Sequence, residues 1–353
     1  MLPRKSRKLG SQAGLCRALL VTGACLATVL RAPSGFVAAE AGAPPTSDER
    51  MAPLPKTVPA PKGNPTTPVK AALGKLLFFD SRLSGDNTMS CATCHRPDKA
   101  FGDGLSQANG AGGKTLKRNT PSLLNVGFCL TFHWDGRANS LEEQALLPVQ
   151  AADEMNQDLA ELEKELNAVP GYVEKFQAVF GTSVTRDGIA KALAAFQRTL
   201  VTGPSPYDRY LGGEKDALSE EARRGMALFF GDADCVRCHS GPLLTDGKFY
   251  RLGVFHDKGR GLVSGKKEDD YKFRTPSLRN VASTGPYMHD GRYKSLNDVV
   301  HFYFRGVPNF GPDGLSLDVE SLQGIPFTEM SDLVAFLEAL TGTEPHIIPP
   351  ELP

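Results

Sequence analysis

Hydrophobic and polar positions divide the chain into three regimes. The first is a basic stretch (Arg4, Lys5, Arg7, Lys8) followed by an unbroken apolar run at 18–30, ALLVTGACLATVL. Small residues suited to cleavage follow at 37–39 and 41–43. A basic start, a short apolar core and a small-residue exit make a signal peptide, assigned to 1–39. The run is shorter than the ~20 apolar residues a membrane span needs. Thr22-Gly-Ala-Cys25 weakly resembles a lipoprotein cleavage box with Thr where Leu is usual, so lipid anchoring at Cys25 is the alternative fate. The second regime, 40–67, is dense in proline and predicts an extended linker. In the third, apolar residues recur at helical spacing over 71–79, 141–147, 159–180, 188–200, 219–230, 296–304 and 330–340. Sustained two-residue alternation is absent, so the expected fold is mainly α with long loops.

Composition narrows this picture. With 40 basic and 40 acidic side chains in 353 residues, the formal net charge is zero, which gives no reason to expect a nucleic-acid partner. A hydrophobic content of 41% excludes global disorder. Once the leader is gone, no other segment is long and apolar enough for a membrane span, and the length allows about two domains.

Seven cysteines carry the chemistry. Two leave with the leader, and four of the remaining five form Cys91-Ala-Thr-Cys94-His95 and Cys235-Val-Arg-Cys238-His239. C-x-x-C-H is the attachment signature of c-type haem: two thiols add to the two vinyl groups, and the adjacent His becomes the proximal iron ligand. A Cys₄ zinc site needs no His beside each pair, and a thioredoxin-like pair should follow a βαβ strand, which is not visible. Two covalently bound haem c groups are therefore expected in an exported chain. Cys129, in the apolar run 126–130, reads as a buried thiol.

The chain also repeats itself. Residues 120–141 (TPSLLNVGFCLTFHWDGRANSL) align without gaps to 275–296 (TPSLRNVASTGPYMHDGRYKSL) at an offset of 155, with 11 of 22 positions identical. This is a duplicated haem unit. Carried into the following helix, the offset sets Tyr303 opposite Pro148. Tyr can ligate haem iron and Pro cannot, so one iron is expected to have two protein ligands and the other an open face. Met288 and His301 are rival ligands to Tyr303. Trp134, the one tryptophan, stands opposite His289.

From about 68 to 345 the chain resembles the bacterial di-haem cytochrome c peroxidase and MauG family. The resemblance rests on the two C-x-x-C-H sites, on FHWDGRANSLEEQALLPVQAADEM at 132–155 and on TPSLRNVASTGPYMHDG at 275–291. It implies two cytochrome c-like haem domains: an N-terminal peroxidatic one (68–215) and a C-terminal electron-transfer one (216–345), with a tail at 346–353. It also implies that Gln144 and Glu154 form the active site and that Trp134 lies between the haems. A calcium ion would be held by Asn119, Thr284 and Pro286. Tyr303, where many of these peroxidases carry Met, is MauG-like, and the His-free segment 96–118 lacks the distal His that blocks the resting haem in many relatives.

The expected function is a periplasmic peroxidase that reduces hydrogen peroxide with electrons from a small cytochrome c or cupredoxin. A MauG-like enzyme oxidising residues of a partner protein through a bis-ferryl state is the second reading. A non-enzymatic di-haem electron carrier is the third; Pro148 and Glu154 argue against it, since a carrier needs neither an open iron nor a distal acid.

Overall fold

The computed structural model describes residues 47–305, 312, 316–318 and 325–353. The signal peptide and the lipobox-like Cys25 lie outside the described residues. The expected helices form, with sharper ends. Thr67 caps helix α1 (Pro68–Phe79) by accepting from the Lys70 amide, and Pro68 sits in the first turn, where its missing N–H costs nothing. Helix α2 (Leu141–Gln150) is capped by Ser140 and carries Pro148 inside its last turns. The single helix expected over 159–180 is two, α3 (Leu159–Asn167) and α4 (Pro170–Phe180). Pro170 lacks the N–H that would continue the ladder, and Val169 before it is extended (φ −101°, ψ 106°). Helix α5 (Arg186–Gln197) closes the first half. In the second half, α6 (Pro206–Leu211), which the periodicity did not reveal, precedes α7 (Glu220–Phe230), α8 (Leu296–Arg305) and α9 (Met330–Glu338). Strand structure among the described residues is limited to a two-residue antiparallel pair, Phe249–Tyr250 against Phe273–Arg274.

Two large hydrophobic cores form, beside a smaller one of Phe132, Ala138, Leu141 and Ala194. One gathers Phe78, Phe101, Tyr172, Phe176 and Phe196, and the other Tyr207, Phe229 and Phe336. The same crossing builds both: α1 packs on α5, and α7 packs on α9. Each crossing is closest at a glycine. A Cβ on Gly74 would overlap the Ala192 carbonyl, and one on Gly225 would overlap the Asp332 carbonyl. Replacing either helical glycine by alanine ordinarily gains about 1 kcal/mol of propensity. Here Gly74→Ala or Gly225→Ala is expected to destabilise by about 1–3 kcal/mol, because the helices must separate. A lowered melting temperature of the haem-loaded protein checks this.

The backbone reproduces the repeat. Left-handed residues recur at the offset of 155: Asn125 (φ 60°) with Asn280 (φ 57°), His133 (63°) with Met288 (69°), and Gly136 (68°) with Gly291 (64°). The bridges Phe132–Ala138 and Tyr287–Tyr293 match likewise.

The two ends of the described chain are docked. In the proline-rich segment, the Leu54 amide donates to Asp208 at 3.0 Å, and Arg279 donates to the Ala52 carbonyl at 3.0 Å. Both partners lie beyond residue 200. The tail crosses the other way: Ile347 packs on the first core, and Arg82 donates to the Pro353 carbonyl at 3.0 Å.

Candidate functional site

Each C-x-x-C-H folds as one helical turn closed by its histidine. The His95 amide donates to Cys91 O and the His239 amide to Cys235 O, both at 2.9 Å. The side chains are then fixed alike. His95 Nδ1 lies 3.0 Å from the Phe101 carbonyl, and His239 Nδ1 lies 3.0 Å from the Leu244 carbonyl. A carbonyl only accepts, so each Nδ1 carries the proton and each Nε2 keeps its lone pair for a metal. Left-handed Phe101 (φ 58°) and Leu244 (φ 52°) turn those carbonyls inward. Burial pushes the Cys91 and Cys235 thiols up to about 12; burial and the Asp103 and Glu154 carboxylates push Cys94 up to about 11. These are protonated thiols with no disulfide among the described residues, and they fit thioether attachment better than thiolate–metal bonding.

In the second half a cavity of about 460 Å³ opens beside the motif, lined by Cys235, Cys238, His239, Tyr303, Met288 and Trp134 among mostly apolar side chains. It suits a flat apolar macrocycle with a ligand on each face. Tyr303 and Met288 both reach it. His301 does not line it and packs edge-on against Phe327 at 5.5 Å. Cys129 lines the same cavity and is half-buried rather than buried, since the chain turns outward at Leu130, which is 84% exposed.

Asn119, Thr284 and Pro286 also line this cavity. Asn119 donates through Nδ2 to the Leu105 carbonyl at 2.8 Å, which leaves Oδ1 as an acceptor. Trp134 donates to the Asn119 carbonyl at 2.9 Å, and its ring meets His289 edge-on at 6.5 Å. His289 in turn stacks on Phe273 at 3.5 Å. Repeat partners Trp134 and His289 thus touch where the halves meet.

On the first half, Gln144 and Pro148 stand four residues apart on one face of α2. The chain after α2 folds back, the Met155 amide donating to the Pro148 carbonyl at 3.1 Å, and this brings Glu154 alongside. Burial raises the Glu154 carboxyl above its ordinary value, and Arg137, 3.6 Å away, opposes the rise. His133, the repeat partner of Met288, is held neutral by burial, its pKa lowered to about 3, and its buried Nε2 has no hydrogen-bond partner among the described residues. Sequence reasoning passed over the charged groups behind Glu154: Arg118 donates to Asp135 at 2.6 Å and, with two bonds of 2.8 Å, to Asp257. The available signal was Arg118 standing opposite Phe273 in the repeat. No helix among the described residues is long and apolar enough to cross a membrane.

Residues 68–216 match the family model described as di-haem cytochrome c peroxidase. The chain is 44% identical over 305 residues to the methylamine utilization protein MauG of Methylorubrum extorquens, covering 85% of this chain and 86% of that protein. It is 42% identical over 333 residues to a cytochrome-c peroxidase of Pseudomonas sp. strain SCT, covering 84% and 86%. Among solved structures, a MauG-like protein associated with microbial copper homeostasis superimposes with a TM-score of 0.73 at 34% identity, over 82% of this chain and 95% of that one.

Proposed function

The chain belongs to the di-haem cytochrome c peroxidase family, and from that premise we propose that it reduces hydrogen peroxide to water in the periplasm, using electrons from a small cytochrome c or cupredoxin. Each turnover consumes one peroxide, two protons and two electrons and yields two waters. Two haem c groups, attached at Cys91/Cys94 and Cys235/Cys238, supply the iron that binds peroxide and stores the electrons. Their division between domains 68–215 and 216–345 belongs to this proposal. So does a calcium ion on Asn119, Thr284 and Pro286, three residues that line one cavity.

The carrying observation is the asymmetry at the repeat offset: Pro148 has no donor atom where the second half has Tyr303. In this reading Pro148 offers no ligand to the iron that His95 would hold, which would leave that iron accessible to peroxide beside Gln144 and Glu154. The Glu154 carboxylate would take the proton from one peroxide oxygen and return it to the other, which leaves as water. Gln144 orders the pocket by hydrogen bonding. Trp134, in contact with His289 and the second cavity, passes electrons between the halves. His239 and Tyr303 would hold the second iron, with Met288 as the rival.

Spectroscopy tests the asymmetry. The ferric protein is expected to show one high-spin and one low-spin haem; two low-spin haems overturn the open site. Tyr303→Phe is expected to alter the low-spin signal alone, and an unchanged signal moves the ligand to Met288. Tyr303 also favours a second reading, MauG-like oxidation of a partner protein. Fast steady-state turnover with reduced cytochrome c supports the peroxidase. A long-lived oxidised form after peroxide alone, with poor turnover, supports the other.

A further inference from the structure

The two copies of Asp-Gly-Arg use their arginines differently, and the difference has a visible cause. In the second copy Arg292 closes on its own aspartate, with Nε and Nη2 donating to Asp290 Oδ2 at 2.9 and 2.6 Å. In the first copy that aspartate is already taken. Arg118 donates to Asp135 Oδ2 at 2.6 Å, and the Arg137 guanidinium keeps only a 3.0 Å bond from Nη1 to the same oxygen. Its Nη2 points instead to Glu154 Oε1 at 3.6 Å. The repeat partner of Arg118 is Phe273, which has no charge with which to compete for Asp290. The position matching Glu154 lies outside the described residues.

Arg118 is held from the other half. Its Nε and Nη2 grip both oxygens of Asp257, and its guanidinium lies over the Phe273 ring at 5.5 Å from the centroid. A bidentate Arg–carboxylate pair fixes direction as well as charge. The remaining Nη1 is thereby aimed at Asp135.

We propose that Arg118, anchored on Asp257, engages Asp135 and so releases Arg137 to position Glu154 and hold it as the carboxylate, making both arginines positioning residues for peroxide cleavage. This rests on Glu154 being the distal acid–base group. Arg137 and, further off, Arg118 face that carboxylate as cations, Asp135 and the adjacent Asp153 face it as anions, and the Cys94 thiol lies near it. Without the released guanidinium, burial and the neighbouring Asp153 and Asp135 outweigh the more distant Arg118, and the carboxyl protonates more readily.

The test is the pH dependence of the peroxide reaction, followed by stopped flow on the haem-loaded protein. Arg137→Gln is expected to move the acid-side midpoint upward by about one pH unit, the low end for losing an opposite charge at this range. Arg137→Lys should restore most of the shift. Arg118→Phe, which copies the second half, and the milder Asp257→Asn should move the midpoint in the same direction. An unmoved midpoint in Arg137→Gln, or in both Arg118→Phe and Asp257→Asn, overturns the inference. Glu154→Gln separates the two layers: if it reacts as fast as the parent, the Glu154 reading itself fails. If it is slow while the arginine variants keep the parent profile, only the present inference falls.

Discussion

Glu154→Gln is expected to slow peroxide cleavage by about two to four orders of magnitude, the range for a positioned general acid–base group. Glutamine keeps the size and a hydrogen-bonding amide but can neither take the proton nor return it. Both haems should remain attached, because Glu154 has no part in either C-x-x-C-H turn. In the parent, the sign of the pH effect follows from burial, the first cause acting on Glu154, which raises its pKa. Cleavage needs the carboxylate, so the rate should fall on acidification through a midpoint above the ordinary glutamate value of 4.5. Glu154→Gln should show a flat profile there. Stopped-flow traces at a series of pH values check both claims, and a full-speed variant would remove Glu154 from the chemistry.

Arg279→Ala is expected to be the most damaging single change to stability. The Arg279 side chain is 2% exposed and Asp208 is 8% exposed, with 2.8 Å between them. Arg279 also donates to the Pro242 carbonyl at 2.7 Å and covers the Tyr207 ring. Removing one partner leaves a buried, uncompensated carboxylate, which costs about 3–5 kcal/mol. Asp208 also accepts from Leu54, so the proline-rich segment should loosen with it. Denaturant midpoints of the loaded protein measure the loss. A double variant replacing both Arg279 and Asp208 should lose less than Arg279→Ala, because no orphaned charge remains.

What the sequence made legible follows the range of the interaction involved. C-x-x-C-H is five contiguous residues whose covalent chemistry dictates the spacing, and the duplication at offset 155 is visible as letters before it is visible as paired left-handed residues. The break between α3 and α4 was also written locally, in Pro170, but the apolar pattern on either side masked it. The proline-rich segment was legible as extended backbone. Its docking was not, because Leu54 and Asp208 are 154 residues apart. The Arg118–Asp257 pair spans 139 residues. Neither side chain belongs to a motif, and only the mismatch with Phe273 in the other copy singles Arg118 out. Tyr303 and Met288 both reach one cavity, so local spacing alone could not choose between them.

The crossed ends also set an order in time. The segment carrying Ala52 and Leu54 is the first of the described chain to emerge during synthesis, yet the residues that hold it, Asp208 and Arg279, come far later. Pro353 closes on Arg82, made long before it. Vectorial folding, in which an early domain finishes before the next is made, therefore cannot seat either end. The segment carrying Ala52 and Leu54 waits for residues 208 and 279, and Pro353 reaches back to Arg82, so assembly finishes with two segments exchanged across the fold, and a chain cut short before 279 leaves the Ala52 carbonyl without its Arg279 donor.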